Sequence, residues 1–96
     1  VTIGIFGHAG DGNIHPTIVY PHNDEAAEKL ALKAFNAIIA LAQSLGGTAS
    51  GEHGIGSLKV HQSAAETSPR VLSLQRSIKA TLDPRGILNP GKKFNL

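Results

Sequence analysis

Asp11-Gly12 lies between two β-rich runs, residues 1–8 and 13–20, and commits the start of this chain to an antiparallel hairpin. Read as a two-residue loop, it pairs Gly10 with Asn13, Ala9 with Ile14 and His8 with His15. Side-chain alternation then sorts the hairpin into two faces. One carries Ile3, Ile5, Ala9, Ile14, Ile18 and Tyr20 and needs a helix over it; the other carries Phe6, His8, Asn13, His15 and Thr17. In that register the two histidine Cβ atoms sit about 4.5–5.5 Å apart, which suits two imidazoles converging on one ion. A longer loop shifts the register.

The connection Pro21 to Asp24 offers Asn23 or Asp24 as a helix cap, followed by Glu25 and Glu28 where the helix dipole favours negative charge. Apolar residues then recur with helical period at Ala27, Leu30, Ala31, Ala34, Phe35, Ile38, Leu41, Ala42 and Leu45, up to a stop at Gly46-Gly47. This long helix is the natural cover for the apolar hairpin face. Thr48-Ala49-Ser50 reads as a short strand entering the Gly51–Gly56 turn, and Leu58 to about Gln62 as a helical turn. Ser68-Pro69 is a cap and first helical position, from which Val71, Leu74, Ile78 and Leu82 mark an amphipathic helix ending at Asp83-Pro84. The expected fold class is α+β: a small antiparallel sheet covered by two helices.

With 96 residues, 41% of them hydrophobic, the chain makes one thin domain with no run long enough to span a membrane. A net charge of +2, scattered basic residues and few aromatics argue against nucleic acid as a partner. With no cysteine, disulfides and thiolate metal ligands are excluded. Val1 falls inside a strand with no initiator Met, so the expectation is a piece of a longer protein.

Two clusters carry chemistry: Gly7-His8-Ala9-Gly10-Asp11-Gly12-Asn13-Ile14-His15 and Ser50-Gly51-Glu52-His53-Gly54-Ile55-Gly56. Adjacent residues on a tight turn diverge, so a division of labour is expected, with Glu52 a third metal ligand after His8 and His15, and His53 a nearby proton acceptor. A His₂Glu set leaves a coordination position open, as catalytic zinc sites do. A substrate bearing a hydroxyl beside a carboxylate could chelate through both oxygens, and the metal would lower the hydroxyl pKa for a neutral imidazole to act on. The bland alternatives stay open: solvent-facing histidines on a hairpin, and Glu52 as a loop acid bonding neighbouring backbone N–H groups. Asp11 reads as turn chemistry, and His22, His61 and Lys59 as surface residues. The glycine turns lack the context of a phosphate loop. Lys92, after Asn89-Pro90-Gly91, sits on what reads as a rigid extended tail suited to docking on another domain.

Three stretches, G-H-x-G-D-G-N-x-H, G-G-T-x-S-G-E-H-G-I-G-x-x-K and I-K-x-x-x-D-P-x-G-I-L-N-P-G-K, occur here in order. Together they resemble the C-terminal part of the FAD-linked oxidases related to vanillyl-alcohol oxidase. The likeness is to the glycolate oxidase FAD-binding subunit and to D-lactate and D-2-hydroxyglutarate dehydrogenases, and it covers nearly the whole chain. The resemblance implies a ferredoxin-like cap over a flavin that is bound mainly by an upstream FAD domain, absent from residues 1–96. It implies a divalent metal, often zinc, on His8, His15 and Glu52, and His53 as the base that removes the hydroxyl proton of a 2-hydroxy acid. It implies that Asn89 to Lys92 run back toward the flavin domain. It also admits an iron–sulfur electron-transfer subunit as partner, homo-oligomers, and a cytoplasmic location with membrane association through partner subunits. Some hydroxyglutarate-type relatives carry asparagine where this chain has Thr17, and the His15-Pro16 strand start is more like the glycolate oxidase subunit. The isolated chain is expected to be inactive. The rival expectation is a non-catalytic interaction or dimerisation domain with incidental histidines.

Overall fold

The computed structural model describes residues 1–94 of the chain. The architecture is α+β: two antiparallel strands, β1 (Thr2–His8) and β2 (Asn13–Val19), then helices α1 (Glu25–Ser44), α2 (Val60–Glu66) and α3 (Pro69–Leu82). The chain divides into two compact units, one of residues 1–47 and one beginning at Thr48.

In the first unit the hairpin loop is longer than the Asp11-Gly12 pair suggested. Four residues, Ala9 to Gly12, close it, and the register pairs His8 with Asn13 and Phe6 with His15. The physical reason is local. Asp11 Oδ1 accepts the Asn13 N–H at 3.0 Å, and the Gly12 N–H reaches the His8 carbonyl at 3.0 Å, with Gly12 at φ +74°. This side-chain-closed turn replaces the expected two-residue one. The expected pairing is thus displaced by two residues, and because strand side chains alternate with period two, each keeps its face. Gly7 permits the close approach: a Cβ there would run into the Asn13 carbonyl oxygen and stand 3.1 Å from Ile14 Cα.

Helix α1 is capped by Asp24, whose Oδ1 accepts the Ala27 N–H at 3.0 Å; Glu25 and Lys29 add an exposed ion pair one turn apart. It ends in a Schellman motif. Gly46, at φ +86°, donates to Gln43 O, and Gly47 donates to Ala42 O at 2.7 Å. The helix lies against β2 and buries Ala31 and Ile39. The apolar hairpin face is covered less than its composition demands: Ile18 is half-buried, while Ile5 stays 72% and Ile14 64% exposed.

In the second unit, Ser68 caps α3 by accepting the Val71 N–H, with Pro69 in the first turn, as the sequence indicates. The expected strand at Thr48–Ser50 does not form. Side chains take the place of a neighbouring strand: Glu66 Oε1 accepts the Ala49 N–H at 3.0 Å and the Thr48 hydroxyl at 2.9 Å, and the Lys59 ammonium donates to Ala49 O at 3.0 Å. The helical turn expected from Leu58 begins two residues later and runs on to Glu66. Beyond α3, the Asp83 carboxylate is buried. It accepts the Ile87 and Leu88 N–H groups at 3.1 Å each and pairs with Lys79, which also donates to Leu88 O at 2.8 Å. No helix among the described residues is long and apolar enough to cross a membrane.

Candidate metal and proton-transfer residues

His8 and His15 share the polar face of the hairpin. As diagonal neighbours across the ladder they bring their rings to a centroid distance of 5.1 Å, edge to face at 84°. His15, half-buried, also stacks on Phe6, with 5.1 Å between centroids and 15° between planes. Each histidine offers a ring nitrogen within 4.8 Å of the other's. Two nitrogens ligating one zinc ion at about 2.0–2.1 Å stand no more than about 4.2 Å apart, so a small ring rotation would let both bind one ion. The pair fits a divalent cation. Asp11, two residues ahead of Asn13, is engaged in the turn itself.

In the second unit, Glu52 and His53 occupy the two central positions of a turn closed by the Gly54 N–H on the Gly51 carbonyl at 3.1 Å, with Gly54 at φ +73°. The expectation that the two side chains diverge is not met. His53 Nε2 lies 3.4 Å from Glu52 Oε1, because this turn projects both side chains to one side. Both remain substantially exposed, His53 more than Glu52. A carboxylate and an imidazole in contact, on backbone shaped by Gly51, Gly54 and Gly56, are suited to handling a cation and a proton together.

Asn89 and Lys92 close a turn of their own, the Lys92 N–H donating to Asn89 O at 3.2 Å. Pro90 fixes the first central position and Gly91, at φ +75°, supplies the second, the pattern of a type II turn. The tail is therefore folded, not the rigid extended arm expected, and Phe94 behind it is buried. Asn89 and Lys92 themselves are exposed. His22 and His61 are exposed, as expected of surface residues.

Three residues support the Glu52–His53 turn: Glu66 and Lys93, which carry no sequence signal for it, and Lys59, which the sequence places at the surface but which is half-buried with its ammonium on Ala49 O. Lys59 and Glu66 fix Ala49 at its entry, and the Lys93 N–H bonds Gly56 O at 2.7 Å at its exit. Only Lys59, inside the motif ending G-I-G-x-x-K, carried a sequence signal.

Comparison with known proteins places these features in a family. The family model described as FAD linked oxidases, C-terminal domain, matches residues 1–93. A glycolate oxidase subunit GlcD of Bacillus subtilis is 40% identical over 94 residues, covering 98% of this chain and 20% of the relative. A D-lactate dehydrogenase of Archaeoglobus fulgidus is 46% identical over 87 residues, 91% of this chain and 19% of the relative. A mitochondrial D-lactate dehydrogenase [cytochrome] of Arabidopsis thaliana is 38% identical over 88 residues, 92% of this chain and 16% of the relative. The chain thus spans about a fifth of the length of the relatives it matches.

Proposed function

The chain belongs to the C-terminal domain family of the FAD-linked oxidases, and from that membership we propose that it forms the substrate-side part of a flavin-dependent dehydrogenase or oxidase of a 2-hydroxy acid. Glycolate and D-lactate are the substrates that the named relatives suggest. His8, His15 and Glu52 hold a divalent cation, zinc first among candidates, and His53 is the general base. The observation that carries this reading is the histidine pair, two imidazoles offering nitrogens within 4.8 Å on the polar face of the hairpin.

When bound, the cation supplies positive charge that lowers the pKa of the substrate hydroxyl, and the flavin supplies the acceptor for two electrons and the Cα hydrogen. The work of this chain's residues is narrower. With its carboxylate on a cation, Glu52 would no longer pair with His53 Nε2, 3.4 Å away here, and that nitrogen would be left to accept the hydroxyl proton. Phe6, stacked on His15, holds one ligand ring in orientation. Asn89 and Lys92 present an amide and an ammonium toward the flavin-bearing part of the full-length protein. The naming of one relative as a glycolate oxidase subunit supports assembly with further subunits.

The test uses the full-length protein. H8A or E52A is expected to remove bound metal, measured by elemental analysis. H53A is expected to retain metal and flavin but to lose bleaching of the flavin absorbance by glycolate or D-lactate. Loss of metal in H53A with retention in E52A would reverse the two roles. Full metal in both H8A and E52A would end the metal assignment.

A further inference from the structure

Lys93 occupies a backbone conformation that a lysine should avoid. Its φ is +64°, and it is the central residue of a three-residue turn closed by the Phe94 N–H on the Lys92 carbonyl at 2.7 Å. A γ-turn with positive φ at its centre is rare and strained, and it favours glycine. Glycine is abundant in this chain and stands at such positions elsewhere, including Gly86 and Gly91 of the same tail. Strain retained at a non-glycine residue points to a use for that side chain.

The use is visible in what Lys93 connects. Its main-chain N–H donates to Gly56 O at 2.7 Å, at the exit of the turn that carries Glu52 and His53. Its ammonium donates to Ser63 Oγ on α2 at 3.2 Å and to Gln75 Oε1 on α3 at 3.1 Å. The same ammonium lies 5.0 Å from the centroid of the Phe94 ring, and Phe94 is buried. Between the loop residues Ser50 and Ile55 and the helix residues Ser63 and Gln75 lies an open cleft of about 510 Å³, lined also by Lys93. The loop does not fill that cleft with its own side chains. Lys93 bridges it, with its backbone on the loop and its side chain on both helices.

We propose that Lys93 is a positioning residue for the Glu52–His53 turn, holding it at a fixed place relative to α2 and α3 through the positive-φ conformation that lets one residue bond the loop and both helices. This rests on the proposed roles of Glu52 and His53. The ammonium is bound here by neutral acceptors, so its charge serves as a strong donor and its length as a strut.

Three variants of the full-length protein test this. K93R keeps a cationic donor; K93M keeps the length without the donor; K93G relieves the backbone and removes the strut. K93M and K93G are expected to lower kcat about 10- to 100-fold, the scale of an ångström-level misplacement. KM, flavin content, metal content and melting temperature should stay near parental, and amide hydrogen exchange across residues 51–56 should accelerate. K93R is expected to recover most of the turnover. Parental kcat in K93M and K93G while H53A is inactive overturns the proposal. Loss of flavin or of thermal stability in step with turnover also overturns it, since that marks a purely structural lysine. If H53A turns over normally, the base assignment has failed instead. Exchange across 51–56 then decides the role of Lys93 by itself, with unchanged rates in K93M counting against it.

Discussion

Phe6 and His15 face each other across the hairpin as register partners, and their rings stack at 5.1 Å with only 15° between planes. The stack fixes the imidazole plane of His15 before any ligand arrives. An aromatic pair of this kind contributes about 0.5–1.5 kcal/mol. Phe6→Ala should therefore weaken metal binding in the full-length protein by about 2- to 10-fold. The same change at exposed Tyr20, which lies off the hairpin pairing, should leave it unchanged. Competition with a chromogenic chelator measures the difference.

Gly7→Ala should open the hairpin. The added methyl would meet the Asn13 carbonyl oxygen and approach Ile14 Cα to 3.1 Å, and both neighbours are main chain that cannot rotate away. The expected cost is about 1–3 kcal/mol, the range for forcing extra volume into a filled space. Thermal melts should show it. Gly4→Ala, where no atom stands within 4 Å of the added carbon, is the control and loses only a few tenths of that.

Glu66→Ala should release the approach to the Glu52–His53 turn. It strips the buried Ala49 N–H and the Thr48 hydroxyl of their shared acceptor, and an unmet buried donor costs about 1–3 kcal/mol. Glu66→Gln keeps an oxygen in place and should recover most of the melting temperature. Equal losses in the two variants would mean that charge, not the acceptor, matters at this position.

Asp83 makes the tail sensitive to acid. The hydrogen bond from Lys79 holds its carboxyl pKa below the ordinary 3.8, helped by the Leu88 and Ile87 N–H groups and opposed by burial. The unfolded chain therefore takes up its proton at higher pH than the folded chain does. The stabilisation is complete above the ordinary value and is lost as pH falls through the lowered folded one. The protection of the Ile87 and Leu88 amides, taken relative to intrinsic exchange at each pH, should fall as the medium is acidified below about pH 4. Asp83→Asn should show lower protection at neutral pH and little further change in protection on acidification.

Much of the fold is legible in the sequence where the deciding physics is local. Asp24, Ser68-Pro69 and Gly46-Gly47 bound α1 and α3 because caps and stops depend on neighbours a few positions away. The hairpin loop was misjudged because Asp11 could serve either a two-residue turn or the side-chain bond to Asn13 that it makes. Ala49 looked like strand because its neighbours are small and β-compatible. What it adopts instead is set by Glu66 and Lys59, distant residues that supply the acceptor and donor a strand would have supplied. The supports of the candidate site, Lys93 above all, were hidden for the same reason. Nothing in a Gly-Lys-Lys-Phe tail says which carbonyl the second lysine will reach.

The side-chain-closed loop of the hairpin has an arithmetic consequence. Loops of two or four residues both leave imidazoles 8 and 15 on the same side of the ribbon, whereas a three-residue loop would turn one of them among the isoleucines. A single insertion or deletion absorbed by the ladder should be more damaging here than a paired one, although the paired change alters more atoms.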